Sequence, residues 1–395
     1  MDATLRFLDG ASRLPGVALT VVSQDPADRL SADLRHRLAG HWRVDDALDP
    51  NQIVYAAGRL AGQFGEVSTL FGPLEQLQVP LAVARERMSV EGLSVEAALN
   101  FRDKARMKTV LNAAGVPCAR HALVGSRDGA LEFVGRAGFP VVVKPPAGAG
   151  GKSTFRIDSM ADLQTFLERF PPDPARPTLY EEFVHGTEYS FDSVVIAGRP
   201  VWHSISCYMP SPLEVLENEW IQWCVMLPRD ISQPEFDPIR EAGFNGLEAL
   251  GLQTGLSHME WFRLADGRIA VSEVGARPPG AQFTSLLSYA HDVDFYSAWP
   301  RLMVYGEFEA PPRKYAAGAA YIRGQGQGRV KRIRGLGEAQ ERFGSIVMEA
   351  RLPDEGKPPS DSYEGDGYII VRHPDTDTVQ HALSEIVRII RVELE

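Results

Sequence analysis

A chain of 395 residues is too long for one ordinary core, and with 44% apolar and 24% charged residues it reads as two or three soluble globular domains. A formal net charge of −11 argues against a nucleic-acid backbone as partner. No apolar run reaches the roughly 18 residues that a membrane helix needs, and the N-terminus lacks the basic-then-apolar pattern of a secretion signal, so the cytoplasm is the expected location.

Leu5, Leu8 and Leu14 indicate a helix ahead of the first convincing strand, Val17 to Val22. Domains of this α/β kind usually open on a buried strand, so a short strand further upstream is expected. Through the first hundred residues the apolar runs ALTVV, IVYAA and LAVA alternate with helical stretches, the pattern of parallel βα units. A helix is predicted over Asp103 to Ala114. Met107, Val110, Leu111 and Ala114 share a face there, Gly115 stands at the cap position and Pro117 stops the helix.

Next come a strand at Val141 to Val143, a glycine-rich turn (Ala147 to Ser153), and a helix opened by Ser159 and Asp162 as a capping box. A strand is predicted at Thr178 to Phe183. Residues 188 to 228 read as further strands carrying Trp202, Trp220 and Trp223, and a helix near Pro238 to Leu250 follows. From about Pro311 the texture changes to Gly-rich loops and short strands, with a last helix at Thr378 to Val392. The basic run Arg329 to Arg334 is either a solvated strand face or an anion site. Cys118, Cys207 and Cys224 are odd in number and lack CxxC spacing, so they read as small hydrophobes in a reducing compartment rather than zinc ligands.

The segment GLSHMEWFRLADGRIAVSEVGARPPG carries the strongest local signal. Asp266-Gly267 between two apolar runs predicts a two-residue type I′ hairpin loop. Counting outward pairs Leu264 with Ile269, Phe262 with Val271, and Glu260 with Glu273. Facing like charges cost up to roughly 1 kcal/mol. A hard divalent cation between the two carboxylates offsets that cost, and Phe262, Leu264, Ile269 and Val271 on the same face point to an enclosed site rather than a solvated hairpin. Strand alternation puts His258 beside Glu260.

PVVVKPPAGAGGKST, from Pro140 to Thr154, is not a Walker A loop, because Pro146 stands where that pattern needs its first glycine. A glycine-rich turn after a strand ending in Lys144 still suits phosphates, since backbone N–H groups approach closely where no Cβ intervenes.

Five segments in order, RDKARMK, VVVKPPAGAGGKS, YEEFVHGTEYS, SHMEWF and SEVGARPPG, make the chain resemble the ATP-grasp superfamily, and within it the carboxylate–amine and amino-acid ligases. The resemblance implies an α/β ATP-grasp architecture: an N-terminal parallel α/β domain (1–98), an ATP-grasp domain (99–310) with a small α+β lid subdomain at about 115–183, and an antiparallel α+β C-terminal region (311–395) completing the cleft. It implies ATP with Mg2+ or Mn2+. Lys104 and Lys144 would reach the α- and β-phosphates under the loop Gly148 to Ser153, which includes Gly150, Gly151 and Ser153. The backbone over Glu181, Glu182 and Val184 would read the adenine edge, and Glu188 would hold the ribose hydroxyls. Glu260 and Glu273 would bind the metal, Arg277 would meet the acyl phosphate or the substrate carboxylate, and His258 would lie near the substrate. Relatives often carry Asn two positions after the second metal glutamate; here that position is Gly275.

The function implied is activation of a carboxylate, an amino acid for preference, as an acyl phosphate that an amine then attacks, giving ADP and phosphate. Trp202, Tyr208, Trp220 and Trp223, if they face the cleft, favour a bulky or apolar side chain. The partners expected are a small-molecule carboxylate and an amine, with a homodimer allowed for, and neither nucleic acid nor membrane. The competing readings are a carboxylase or purine-pathway enzyme acting on bicarbonate or formate, and a nucleotide-binding regulatory module without turnover.

Overall fold

The computed structural model describes residues 2–148, 153–218, 221–324, 326–360 and 362–395. The chain opens with α1 (Asp2–Ala11), followed by β1 (Thr20–Ser23), α2 (Ala32–Arg37), β2 (Gly40–Arg43), α3 (Pro50–Phe64), α4 (Gln78–Met88) and α5 (Val95–Arg102). β1 and β2 pair in parallel, although β2 lies in none of the apolar runs that the sequence marks. The runs IVYAA and LAVA, however, are helical and lie in α3 and α4. Asp49 caps α3 by accepting from the Asn51 N–H, Pro50 fits its first turn, and Ile53, Ala56, Ala57 and Leu60 are buried at helical spacing. A short apolar run looks the same in a buried strand and on one helix face.

α6 (Lys104–Ala113) starts on an Asp103 cap that accepts from Ala105 and Arg106, and Gly115 ends it at φ 73°. Then come β3 (His121–Val124), α7 (Arg127–Ala137), β4 (Val141–Lys144), β5 (Phe155–Ile157), α8 (Met160–Arg169) and β6 (Thr178–Glu182). Their four strands form one antiparallel sheet in the order β3-β6-β4-β5, with α7 and α8 supplying the apolar layer around Phe133, Leu163 and Leu167. Ser159 caps α8 as expected.

The remainder is built on β7 (Thr187–Ile196), β8 (Arg199–Met209), α9 (Pro212–Glu217), β9 (Cys224–Leu227), α10 (Asp237–Leu250), β10 (Gly255–Arg263), β11 (Ile269–Gly275), α11 (Phe283–His291), α12 (Phe295–Tyr305), β12 (Ala316–Ile322), β13 (Val330–Arg334), α13 (Leu336–Phe343), β14 (Val347–Arg351), β15 (Gly367–His373), α14 (Thr376–Ile389) and β16 (Arg391–Leu394). Eight of these strands make a single antiparallel sheet, β11-β10-β7-β8-β9-β12-β15-β14. The last helix ends at Ile389, earlier than its sequence pattern suggests, because Arg391–Leu394 leave it to pair with β13. That pairing settles the basic run: Lys331 meets Glu395 (2.6 Å), and Arg332 and Arg334 both meet Glu393 (2.5 Å) on an exposed strand face. No helix among the described residues is long and apolar enough to cross a membrane.

The metal-type hairpin is β10–β11, and its predicted turn is wrong. Leu264 N–H donates to Arg268 O (2.9 Å) and Gly267 N–H to Leu264 O (3.0 Å), with Gly267 at φ 84°. The loop therefore has three residues, Ala265 to Gly267, ending in a left-handed glycine. This shifts the near register by one, so Phe262 opposes Ala270 and Trp261 opposes Val271. A β-bulge at Ser272 shifts it back, and Glu260 faces Glu273 after all. The bulge also moves Val271 onto the side of Trp261, where both are fully buried.

Candidate active site

One cleft of about 670 Å3 runs between the four-stranded sheet, the open face of the eight-stranded sheet and the C-terminal strands. Its floor follows from strand pairing. Glu188, Ser190 and Asp192 on β7 stand opposite Phe262, Glu260 and His258 on β10, and Ser206 and Ser204 on β8 continue the row. Residues two apart share a face, so this sheet turns a polar stripe toward the cleft while Phe191, Met259 and Trp261 pack behind it.

At one end of the cleft, where the sequence places the phosphates, Glu273 Oε1 accepts from Lys104 Nζ at 2.8 Å. Burial opposes ionisation of Glu273, but Lys104 and Lys144 prevail and hold its carboxyl below the usual range. Glu260 is pushed the other way, by burial and by the Glu273 charge. Burial and Glu260 push Glu188 well above its ordinary value. A facing acidic pair in which only Glu273 has a lysine partner, with a third buried carboxyl beside it, fits a hard divalent cation. Among the described residues no group of three or more His, Cys, Asp or Glu forms a complete metal cage. A Mg2+ site of one or two carboxylates, finished by phosphate oxygens and water, needs none.

Lys144 Nζ donates to Glu181 Oε2 at 2.8 Å, and Lys108 Nζ lies 3.3 Å from Glu181 Oε1. Burial favours protonation of Glu181, yet the two ammonium groups outweigh it and bring its pKa to about 2. Glu181 thus turns its side chain onto two lysines. Next along the chain, the Glu182 N–H donates to Arg120 O (2.9 Å) and the Phe183 N–H to Pro140 O (3.1 Å), while Val184, on the cleft wall, has no backbone acceptor among the described residues. The Glu182 carboxylate pairs outward with Arg120 at 2.5 Å. The base of the glycine-rich loop is tied to α6: Lys104 N–H donates to Pro146 O (2.8 Å), and Arg102 and Lys104 both donate to Gly148 O (3.1 Å). Ser153 sits exposed at the far side of the loop with φ 59°. Gly150, Gly151 and Trp220 lie outside the described residues.

Toward the other end, His258 Nδ1 is 2.7 Å from Asp192 Oδ1, and its Nε2 faces the Tyr208 hydroxyl at 3.4 Å and Glu260 at 3.9 Å. Burial works against protonation of His258, but Asp192 outweighs it and the pKa is raised. A carboxylate on one ring nitrogen fixes which nitrogen the other partner meets. Arg277 Nε donates to Glu75 Oε2 at 2.6 Å, so a residue preceding α4 holds the guanidinium over the cleft. Gly275 explains its own identity: a Cβ there would stand 3.3 Å from Glu75 Oε2 and 3.7 Å from Arg277 Cγ. Tyr208 and Trp223 border the cleft, whereas Trp202 packs into the core against His291 and Phe295.

The structure therefore brings Lys104, Lys144, Glu181, Glu182, Val184, Glu188, His258, Glu260, Glu273 and Arg277 to one cleft. Sequence reasoning missed Lys108, Glu75, Asp192, Tyr363 and Glu364. Lys108 was within reach as the helical i+4 partner of Lys104, and Asp192 as the i+4 strand partner of Glu188. Glu75, Tyr363 and Glu364 carry no local signal.

Residues 109–287 match the ATP-grasp domain family model. The chain is 27% identical over 242 residues to the D-alanine–D-alanine ligase of Frankia casuarinae, an overlap of 58% of this chain and 59% of that relative. In structure it is similar to the L-amino acid ligase from Bacillus licheniformis (TM-score 0.81, 18% identity, covering 100% of this chain and 97% of that one). It is also similar to N5-carboxyaminoimidazole ribonucleotide synthetase from Thermotoga maritima (TM-score 0.70, 19% identity, 99% and 97% covered).

Proposed function

We propose, from the match of residues 109–287 to the ATP-grasp domain family, that the chain is an ATP-dependent carboxylate–amine ligase whose carboxylate substrate is an amino acid. The observation that carries the reading is the convergence of the Glu260–Glu273 pair with Lys104, Lys144 and Arg277 on one cleft. Phosphoryl transfer spreads negative charge over the equatorial oxygens, so its catalysis is positioning and cationic stabilisation. Glu260 and Glu273 would hold a magnesium ion, which would supply neutralisation of phosphate charge when bound.

The chain's own groups divide the remaining work. Lys104 and Lys144 give up carboxylate partners for phosphate oxygens. A carboxylate oxygen of the substrate attacks the γ-phosphorus as the bond to ADP breaks, forming an acyl phosphate. The amine nitrogen then attacks the acyl carbon, phosphate leaves, and the nitrogen loses a proton. Arg277, held by Glu75, faces the oxyanion of that step. His258, oriented by Asp192, presents Nε2 at the same place. The division at 1–98, 99–310 and 311–395, a cytoplasmic location and a homodimer belong to the same reading.

Support for an amino acid over bicarbonate comes from the aromatic side chains Tyr208, Phe283 and Tyr363 on the wall of the acceptor end, which offer contacts to an organic side chain that bicarbonate lacks. The test is steady-state ADP release with MgATP against a panel of amino acids, singly and in pairs, with bicarbonate as the rival. Amino-acid-dependent ADP release with a new amide product in the mass spectrum is expected. ADP release stimulated by bicarbonate alone would replace this reading with the carboxylase one.

A further inference from the structure

We propose that the acceptor end of the cleft holds a subsite for a cationic group on the substrate, an ammonium or guanidinium on an amino-acid side chain, with Glu364 as its counter-ion and Tyr363, backed by the buried Trp223, as its aromatic wall. The inference rests on the ligase reading and names the substrate class for it.

Consider the carboxylates that border the cleft. Glu75 is paired with Arg277, Glu181 with Lys108 and Lys144, Glu182 with Arg120, and Glu273 with Lys104; Glu260 accepts from the Tyr208 hydroxyl (3.4 Å). Glu214 and Glu217 are exposed and solvated. Two carboxylates remain that have no hydrogen-bond or ion-pair partner for their oxygens among the described residues: Glu188, which is buried, and Glu364, which is half-buried at the cleft. Glu188 lies within the field of Glu260, Glu273 and Lys144 and so belongs to the metal end. Glu364 stands apart from all of these charges; burial alone raises its pKa. A half-buried carboxylate without a partner is partly desolvated, and a cation that arrives to pair with it offsets that cost.

The loop that presents Glu364 is built to hold it. Ser360 N–H donates to both Asp366 oxygens (3.0 Å), Glu364 N–H donates to Ser362 Oγ (3.2 Å), and Asp366 N–H donates to Ile322 O (3.1 Å). Gly365, at φ 62°, lies so close to β12 that a Cβ would come within 2.7 Å of the Ile322 carbonyl. Tyr363 is thereby set edge-on to Trp223, with centroids 4.8 Å apart, and Trp223 stacks on Tyr321 at 4.7 Å. Aromatic faces beside a carboxylate attract organic cations. The other charged group at this end, Arg277, is the complement of a substrate carboxylate. An anion-binding arginine and a cation-binding glutamate in one half-cleft describe a basic amino acid.

The experiment compares lysine with norleucine, and arginine with citrulline, each with alanine as co-substrate, by MgATP-dependent ADP release. We expect the wild type to favour the charged member of each pair by about tenfold or more in kcat/KM, and E364Q to bring the ratio toward unity. Equal rates within both pairs for the wild type overturn the subsite, and this arm stands even if E364Q does not fold. A charged-over-neutral ratio unchanged in folded E364Q overturns the role of Glu364. ADP release that no amino acid stimulates overturns the ligase reading itself, which the two other failures leave intact.

Discussion

The two ends of the cleft handle buried charge in opposite ways. At the phosphate end two carboxylates are matched by lysines, Glu273 by Lys104 and Glu181 by Lys108 and Lys144, while Glu188 and Glu260 are not. At the acceptor end aromatic rings form the wall, Arg277 is matched from outside by Glu75, and Glu364 has no partner among the described residues. In the proposed reading the first end carries its own counter-charges because it must stay folded before nucleotide arrives, and it would exchange them for phosphate and metal. The second leaves its charge for the substrate to complete. Within the metal pair the same contrast recurs, since Glu273 has Lys104 and Glu260 has no lysine.

That contrast breaks most visibly at the glutamate pair. Replacing Glu260 or Glu273 by Gln should each lower metal-dependent ADP release by about 10²–10³-fold, through the clamp on the transferring phosphoryl. Their melting temperatures without ligand should separate. Glu260's carboxyl is raised, so its ionised form costs stability above the ordinary Glu range, and Glu260→Gln should melt at or above wild type. Glu273→Gln leaves Lys104 buried without its carboxylate and should melt lower. Melting scans of both apo variants check this, and identical shifts would contradict the assigned partners.

Glu181→Gln strips the counter-charge from two buried ammonium groups and should cost about 3–5 kcal/mol in denaturant unfolding. The sign with pH is definite. Because its folded pKa is lowered to about 2, Glu181 contributes its stability above the ordinary Glu value of 4.5 and loses it as pH falls from there toward 2. Wild type should therefore lose more stability than Glu181→Gln across that acid window.

Removing one cation of the phosphate end is milder. Lys144→Ala should weaken nucleotide binding by about 1.5–3 kcal/mol, read by calorimetry, since a charge-assisted contact to phosphate is lost. Smaller still is Gly275→Ala. Its Cβ crowds the Glu75 carboxylate rather than deleting it, and a few-fold fall in kcat/KM with unchanged nucleotide affinity is expected, of the order of 0.5–1 kcal/mol. An equal loss in nucleotide affinity would mean that Gly275 serves the phosphate end instead.

The sequence by itself determined the elements whose signals are local. Caps and periodicity marked α6 and α8, the order of five short segments pointed to the fold, and opposed glutamates on a hairpin pointed to the cation site. The Glu260–Glu273 pairing was reached through two errors that cancel: a three-residue turn in place of two, and a bulge at Ser272. A turn type and a bulge depend on how the strands twist against their neighbours, and no pattern of residues within the hairpin encodes that twist. Similarly, IVYAA and LAVA are short apolar runs whose helical state was decided by what covers them.

Only the tertiary structure decided the partners of the charges. Glu75 reaches Arg277 across 202 positions and Lys104 reaches Glu273 across 169, and both bonds are absent from any local window. Gly275 reads in the sequence as a missing metal ligand; in the fold it is the space that the Glu75–Arg277 pair occupies. Residue type specifies which charges a chain carries, but the energy of a buried charge depends on the neighbours that replace its water, and those neighbours come from the other end of the chain.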